Sequence, residues 1–261
     1  METTTTDESA DTESLTGQLQ ERARQATVPP RAARRRSRMF FRVALVAFSA
    51  FVAFLLIVRR NPRMERDVVA TIRVQRLRRP MLTVLMRAVS WFGFKPQSLA
   101  LPMAAVAGTW LVGFRREARY LCFAWLGSLL SYTTKRFVRR PRPAGEGIIV
   151  QLANLRDTSF PSGHTLHYTA FWGFFVYLCF TEIRGRWLRW LPVSGIGSMI
   201  GLVGPSRIYL GHHWLTDVLA SYCLGVGYLA TLIGLHRRNL GDQTPWMDDD
   251  EKTHSGEVES V

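Results

Sequence analysis

Three short polar blocks interrupt an otherwise apolar chain, and their residue types suit the handling of a phosphate. The first is Lys135 with Arg142-Pro143, the second Pro161-Ser162-Gly163-His164, and the third Ser206-Arg207 with His213 and Asp217. Lys135, Arg142 and Arg207 are fixed cations. Guanidinium groups grip phosphate oxygens two at a time, and an ammonium acts as a point charge. Ser162 and the Gly163 amide add donors. Gly163 lets backbone approach an anion closely, and it stands where a helix begins, with N–H groups and the positive dipole end exposed. Pro161 helps set that start.

His213 and Asp217 are four residues apart and share a helix face. A carboxylate so placed can hold an imidazole in the tautomer whose other nitrogen is free to attack. Asp217 is also the only acid well inside a predicted span, and an intramembrane acid is a functional candidate by default. His164, from a different block, can protonate a leaving oxygen.

Apolar runs near 39–58, 97–114, 118–134, 163–183, 190–210 and 214–235 must position these groups. Each is close to the ~20 residues that cross a hydrocarbon core of about 30 Å. The expected fold is therefore all-α: a polytopic membrane protein with about six transmembrane helices bundled around a polar active site. As a soluble core, so many runs in 261 residues would leave too little polar sequence to cover them. Between Lys135 and His164 no run is long enough to cross, so the first two blocks share a membrane face. The 41 residues between His164 and Ser206 make two spans and a turn, which returns the third block to that face.

Residues 61–95 alternate arginines with Val68, Val69, Ile72, Val74, Leu77, Met81, Leu82, Leu85, Val89 and Trp91. The pattern suits one or two amphipathic helices at the membrane surface, or a solvated connector. The net charge of +14 is uneven. Residues 1–38 carry seven bases and six acids, 239–261 one base and seven acids, and the middle 26 bases against seven acids. The expected organisation is a disordered polar tail over 1–38, a membrane-embedded domain over 39–236 and an acidic tail over 237–261. With 47% hydrophobic residues, a wholly disordered chain is excluded.

Other residues take plainer readings. Arg136, Arg139, Arg140 and Arg156 are assigned to a lipid-headgroup patch. His167 and His212 are read as packing or secondary substrate contacts, and Cys122, Cys179 and Cys223 as small apolar fillers.

The blocks Lys-x6-Arg-Pro, Pro-Ser-Gly-His and Ser-Arg-x5-His-x3-Asp resemble the signature of the phosphatidic acid phosphatase type 2 superfamily, and every specified position matches. The resemblance covers about residues 39–236 and leaves both tails unexplained. It implies that Lys135, Arg142, Ser162, Gly163 and Arg207 hold a phosphoryl group. It also implies that His213 forms a phosphohistidine, Asp217 orients it, and His164 serves as general acid. Neither metal nor other cofactor is implied, and no nucleic-acid partner. The expected activity is hydrolysis of a lipid phosphate monoester or diphosphate in the bilayer, with phosphatidate, phosphatidylglycerol phosphate, lysolipid phosphates and undecaprenyl or other polyprenyl diphosphates all open. A phosphotransferase and a non-catalytic lipid-phosphate binder or transporter are the competing classes; an intact His164, His213 and Asp217 speak against the binder. With both tails on one side, that side carries 13 bases and the site side 17, three of them assigned to phosphate, so the positive-inside count is a tie. The family places the site on the non-cytoplasmic face of the cell membrane. Oligomeric state is not legible.

Overall fold

Apolar runs with few β-branched clusters and punctuating Gly and Pro fold here as helices, and no strand occurs among the described residues. The computed structural model describes residues 30–151, 157–183, 185 and 187–241, with side chains from 37 to 239. Most of the two expected tails lies outside these residues. Helix α1 (Pro30–Arg60) already begins inside the first, and the last helix ends at Gly241, inside the second.

After α1 come α2 (Glu65–Arg76), α3 (Pro80–Trp91), α4 (Gln97–Leu111), α5 (Arg115–Leu126) and α6 (Ser128–Val138). A continuous helical stretch follows, made of α7 (Gly163–His167), a π-helical turn over Tyr168–Trp172 and α8 (Gly173–Glu182). Helices α9 (Trp190–Tyr209) and α10 (Leu215–Gly241) complete the order. Residues Met39–Gly234 form one compact unit. Residues 30–38 and 235–241, described separately, are helical ends.

Local sequence explains the boundaries that matter for the site. Pro80 opens α3, where a missing N–H costs nothing. Ser162 has an extended backbone and its Oγ accepts from the Thr165 amide, capping α7. After α9 the chain turns at Gly211, whose φ of +73° suits glycine. A Cβ there would also stand 2.6 Å from the Ile149 carbonyl oxygen, so this turn packs directly against the segment before the second block.

Two apolar clusters flank the site. Leu121, Ala124, Phe171, Phe174, Leu178, Leu232 and Ile233 tie α5 to the helices of the second and third blocks. Phe51, Val58, Phe160, Leu166, Ala220 and Leu224 tie α1 to the same pair. Small residues allow close approach: a Cβ on Gly225 would lie 2.7 Å from Thr169.

The segment 61–95 forms two helices that bury different kinds of residue. In α2 the buried residues are Asp67, Thr71 and Gln75, polar and at i, i+4 and i+8. Val69, Leu77, Met81, Val84 and Trp91 are exposed instead. Helix α2 therefore turns a polar stripe inward, while α3 buries Met86 and Val89 beside Ser90.

Among the described residues, two helices are long and apolar enough to cross a membrane: 37–60 and 215–239. Of the other expected spans, those at 163–183 and 190–210 are helical over 163–182 and Trp190–Tyr209, and two are shorter or broken. The run at 97–114 is helical over Gln97–Leu111, and that at 118–134 divides at Gly127 into α5 and α6.

Candidate active site

Lys135 lies in the last turn of α6, Arg142 in the loop beyond it, and Arg207 near the end of α9. The structure brings them around one imidazole. His213 precedes α10, is 2% exposed, and feels the positive charges of Arg142, Arg207 and Lys135. Burial first, and then these cations, hold it well below the usual histidine value, so the ring is neutral at pH 7. Its Nδ1 lies 2.7 Å from the Ser159 carbonyl oxygen. A carbonyl can only accept, so Nδ1 carries the proton and Nε2 keeps its lone pair. That free nitrogen sits 3.5 Å from Nη1 of Arg142.

Asp217 does not make the expected hydrogen bond to this ring. Its nearer oxygen is 3.7 Å from Nδ1, and the Ser159 carbonyl occupies the closer position. The carboxylate instead accepts from the Trp214 amide at 2.9 Å and from Arg140 at 2.5 Å. It therefore fixes the turn that carries His213 and acts on the imidazole through space.

Arg140 corrects its headgroup assignment. The residue is 1% exposed and bridges Asp217 and Asp67, each at 2.5 Å. It also donates to the Pro62 carbonyl and to Thr216, and its guanidinium lies 5.8 Å from the Trp214 ring centroid. A bare charge this deep would be costly, and two carboxylates compensate it. Arg136 and Arg139 are exposed, and Arg156 lies outside the described residues.

The second block supplies the opposite wall. The Ser162 amide donates to Ser221 Oγ at 2.7 Å, and Ser162 Oγ accepts from the Thr165 hydroxyl at 3.0 Å. Those bonds lock the N-terminus of α7, at which Gly163 lies beside Ser131. His164 meets Phe94 edge-on at 4.7 Å, and its Nε2 is buried without a hydrogen-bond partner. Arg207 covers the same Phe94 ring at 5.2 Å and donates to Ser90 Oγ, while its Nε has no partner. His164 and Arg207 are thereby held on one aromatic ring. A Cβ on Gly93 would fall 2.1 Å from His164 Cδ2, so only glycine permits this approach.

His167 packs, stacking on Phe171 at 5.6 Å with Ser128 Oγ 3.3 Å from Nδ1. His212 is fully buried, meets the Gln151 carbonyl through Nε2 and lies 6.3 Å from Phe94; burial, then Arg207, lowers its pKa to about 4. Burial also lowers Lys135, against the opposing pull of Asp157.

Sequence reasoning missed five contributors: Asp67, Ser90, Phe94, Asp157 and Ser159. Asp67 was signalled by the polar i, i+4, i+8 stripe of α2. Ser159 contributes a backbone carbonyl, which no side-chain pattern announces.

Residues 117–240 match the PAP2 superfamily. Phosphatidylglycerophosphatase B of Bacillus subtilis (strain 168) is 26% identical over 185 residues, 68% of this chain and 88% of that protein. Decaprenylphosphoryl-5-phosphoribose phosphatase of Mycobacterium tuberculosis (strain ATCC 25618 / H37Rv) is 28% identical over 184 residues, 67% of this chain and 93% of that protein. The crystal structure of a transmembrane PAP2-type phosphatidylglycerolphosphate phosphatase from Bacillus subtilis superposes with a TM-score of 0.63 at 22% identity, covering 78% of this chain and 98% of the other. Aquifex aeolicus LpxE gives a TM-score of 0.52 at 21% identity, covering 67% and 98%.

Proposed function

The chain belongs to the PAP2 superfamily, and from that premise we propose that it removes the terminal phosphate of a lipid phosphate monoester or diphosphate through a phosphohistidine on His213. It is a phosphoric ester or anhydride hydrolase of the membrane lipid-phosphatase kind. One observation carries the residue roles: a neutral imidazole with Nδ1 tied to the Ser159 carbonyl and Nε2 turned to the cations.

In the first half-reaction the Nε2 lone pair attacks phosphorus. The bond from phosphorus to the lipid oxygen breaks, its electron pair leaves with that oxygen, and His164 supplies the proton. Lys135, Arg142, Arg207, Ser162 and the Gly163 amide hold the phosphoryl oxygens as charge builds on them. In the second half, water attacks phosphorus, His164 takes the water proton, the P–N bond breaks and inorganic phosphate leaves. Asp217, fixed by Arg140, offsets the charge the ring acquires when Nε2 bonds to phosphorus.

The substrate class is a lipid whose apolar part stays in the bilayer, of the glycerophospholipid or polyprenyl kind. Six crossings are supported by the two long apolar helices and by exposed Met103, Leu111, Phe123, Leu129, Phe180 and Leu191 on the others. The site then faces away from the cytoplasm, with both tails inside; labelling of an introduced Ala144→Cys from the outer face tests that orientation.

Purified protein presented with phosphatidate, phosphatidylglycerol phosphate and undecaprenyl diphosphate should release inorganic phosphate from at least one. Vanadate should inhibit, and chelators should leave turnover intact. Turnover lost to a chelator and restored by a divalent ion would overturn the side-chain-only mechanism. Phosphate appearing on an acceptor rather than free would favour a transferase.

A further inference from the structure

One acid in direct contact with two of the proposed phosphate-binding cations is used by neither the three blocks nor the reaction. Asp157 accepts from Lys135 Nζ at 2.6 Å through Oδ2 and from Arg142 Nη2 through Oδ1, and its backbone carbonyl accepts from Arg142 Nε at 2.9 Å. Two of the three cations assigned to phosphate therefore spend donors on one carboxylate. Their side chains are 17% and 14% exposed, whereas that of Asp157 is 56% exposed. The carboxylate lies on the solvent side of the pair, where it can leave into water.

We propose that Asp157 is an internal counter-ion that substrate must displace, and that it makes the site selective for a doubly charged terminal phosphate. The inference rests on the phosphatase reading above. Carboxylate and phosphate oxygens compete for the same bidentate donors, so the two cannot both saturate Lys135 and Arg142. A phosphate monoester carries close to two charges at pH 7 and three acceptor oxygens. It replaces both bonds of the carboxylate and still has an oxygen for Arg207. A phosphodiester headgroup carries one charge and offers no gain over the resident acid. At a membrane surface this difference matters, because anionic phosphodiesters outnumber any phosphomonoester substrate there.

Protonation does not open the clamp. Burial alone would raise the Asp157 carboxyl, but the hydrogen bonds and charges of Lys135 and Arg142 outweigh it and hold the group at about 2. Removal must come from a competing anion.

The test uses the full chain in detergent, comparing wild type with Asp157→Asn and Asp157→Ser, each checked for an unchanged unfolding temperature. Inorganic phosphate should bind the neutral variants roughly tenfold more tightly, the factor expected for releasing about one charge-assisted bond. Micelles containing phosphatidylglycerol should inhibit the variants and leave wild type unaffected. Asp157→Glu, which keeps the charge, should behave as wild type toward phosphate. Unchanged or weaker phosphate binding in both neutral variants would overturn the proposal and make Asp157 a brace that holds the cations in place. Hydrolysis of the lipid panel by wild type in the same preparation separates that failure from failure of the phosphatase reading, which would also remove the basis for this one.

Discussion

Arg140 and Arg142 stand two residues apart, and each is flanked by carboxylate, yet they serve opposite ends. Arg140 is enclosed between Asp67 and Asp217, all three nearly inaccessible, and its donors also reach Pro62 and Thr216. Arg142 meets a half-exposed acid, touches the His213 imidazole and keeps a path to solvent. The buried pairing is saturated and has no room for a ligand. The outer pairing is exchangeable. Position relative to the surface, rather than charge, separates the enclosed arginine from the one within reach of a ligand.

The strongest way to break the contrast is Arg140→Ala. Removing one partner from a buried ionic group leaves Asp67 and Asp217 uncompensated and should cost ~3–5 kcal/mol of stability. Loss of folded protein in detergent, read by thermal unfolding, checks it. Retention of wild-type stability would mean that Arg140 is accessible after all. Arg142→Ala should do the reverse, lowering kcat/KM by about 10²–10³ with little change in unfolding temperature, as expected for removal of one oxyanion-type donor. A smaller effect is expected at Ser90→Ala. Arg207 loses its hydroxyl partner, and activity should fall by roughly tenfold, about 1.5 kcal/mol, the lower end for a single hydrogen bond to a charged group.

A pH experiment sharpens the same division. His212 is buried with its pKa lowered from 6.5 to about 4, so the unfolded chain binds the proton more readily than the folded one. Its contribution to stability is complete above pH 6.5 and is lost as pH falls toward 4. The exposed Asp157 behaves as a depressed carboxyl and weakens the fold only as pH falls from 3.8 to about 2. Unfolding temperatures followed from pH 7 to 4 should decline in wild type and decline less in His212→Gln. Parallel curves would remove His212 from the account.

Much of the site could be read in the sequence because its chemistry is spelled in side chains at fixed spacing. Lys135, Arg142 and Arg207 do surround His213, and the described residues of a chain with six apolar runs fold without strands. The supporting residues escaped for physical reasons. Asp67 lies 73 positions from Arg140, in a segment so rich in arginine that a single acid looks like a surface counter-charge. Arg140 shares its neighbourhood with exposed Arg136 and Arg139, and only the folded chain separates them. Phe94 reads as an apolar filler until His164 and Arg207 are seen on its ring. Asp217 does lie beside His213, but the closer position on the imidazole is taken by a carbonyl that has no letter in the sequence.

The covalent intermediate is the most direct test. Protein mixed briefly with a lipid phosphate labelled on its terminal phosphorus, then quenched in base, should retain label as an acid-labile, base-stable phosphoramidate that maps to the peptide bearing His213. His213→Ala should carry none and should lose at least about a thousandfold in turnover, as removal of a nucleophile does. A turning-over wild-type enzyme that never acquires label, or label found on a residue other than His213, would contradict the account.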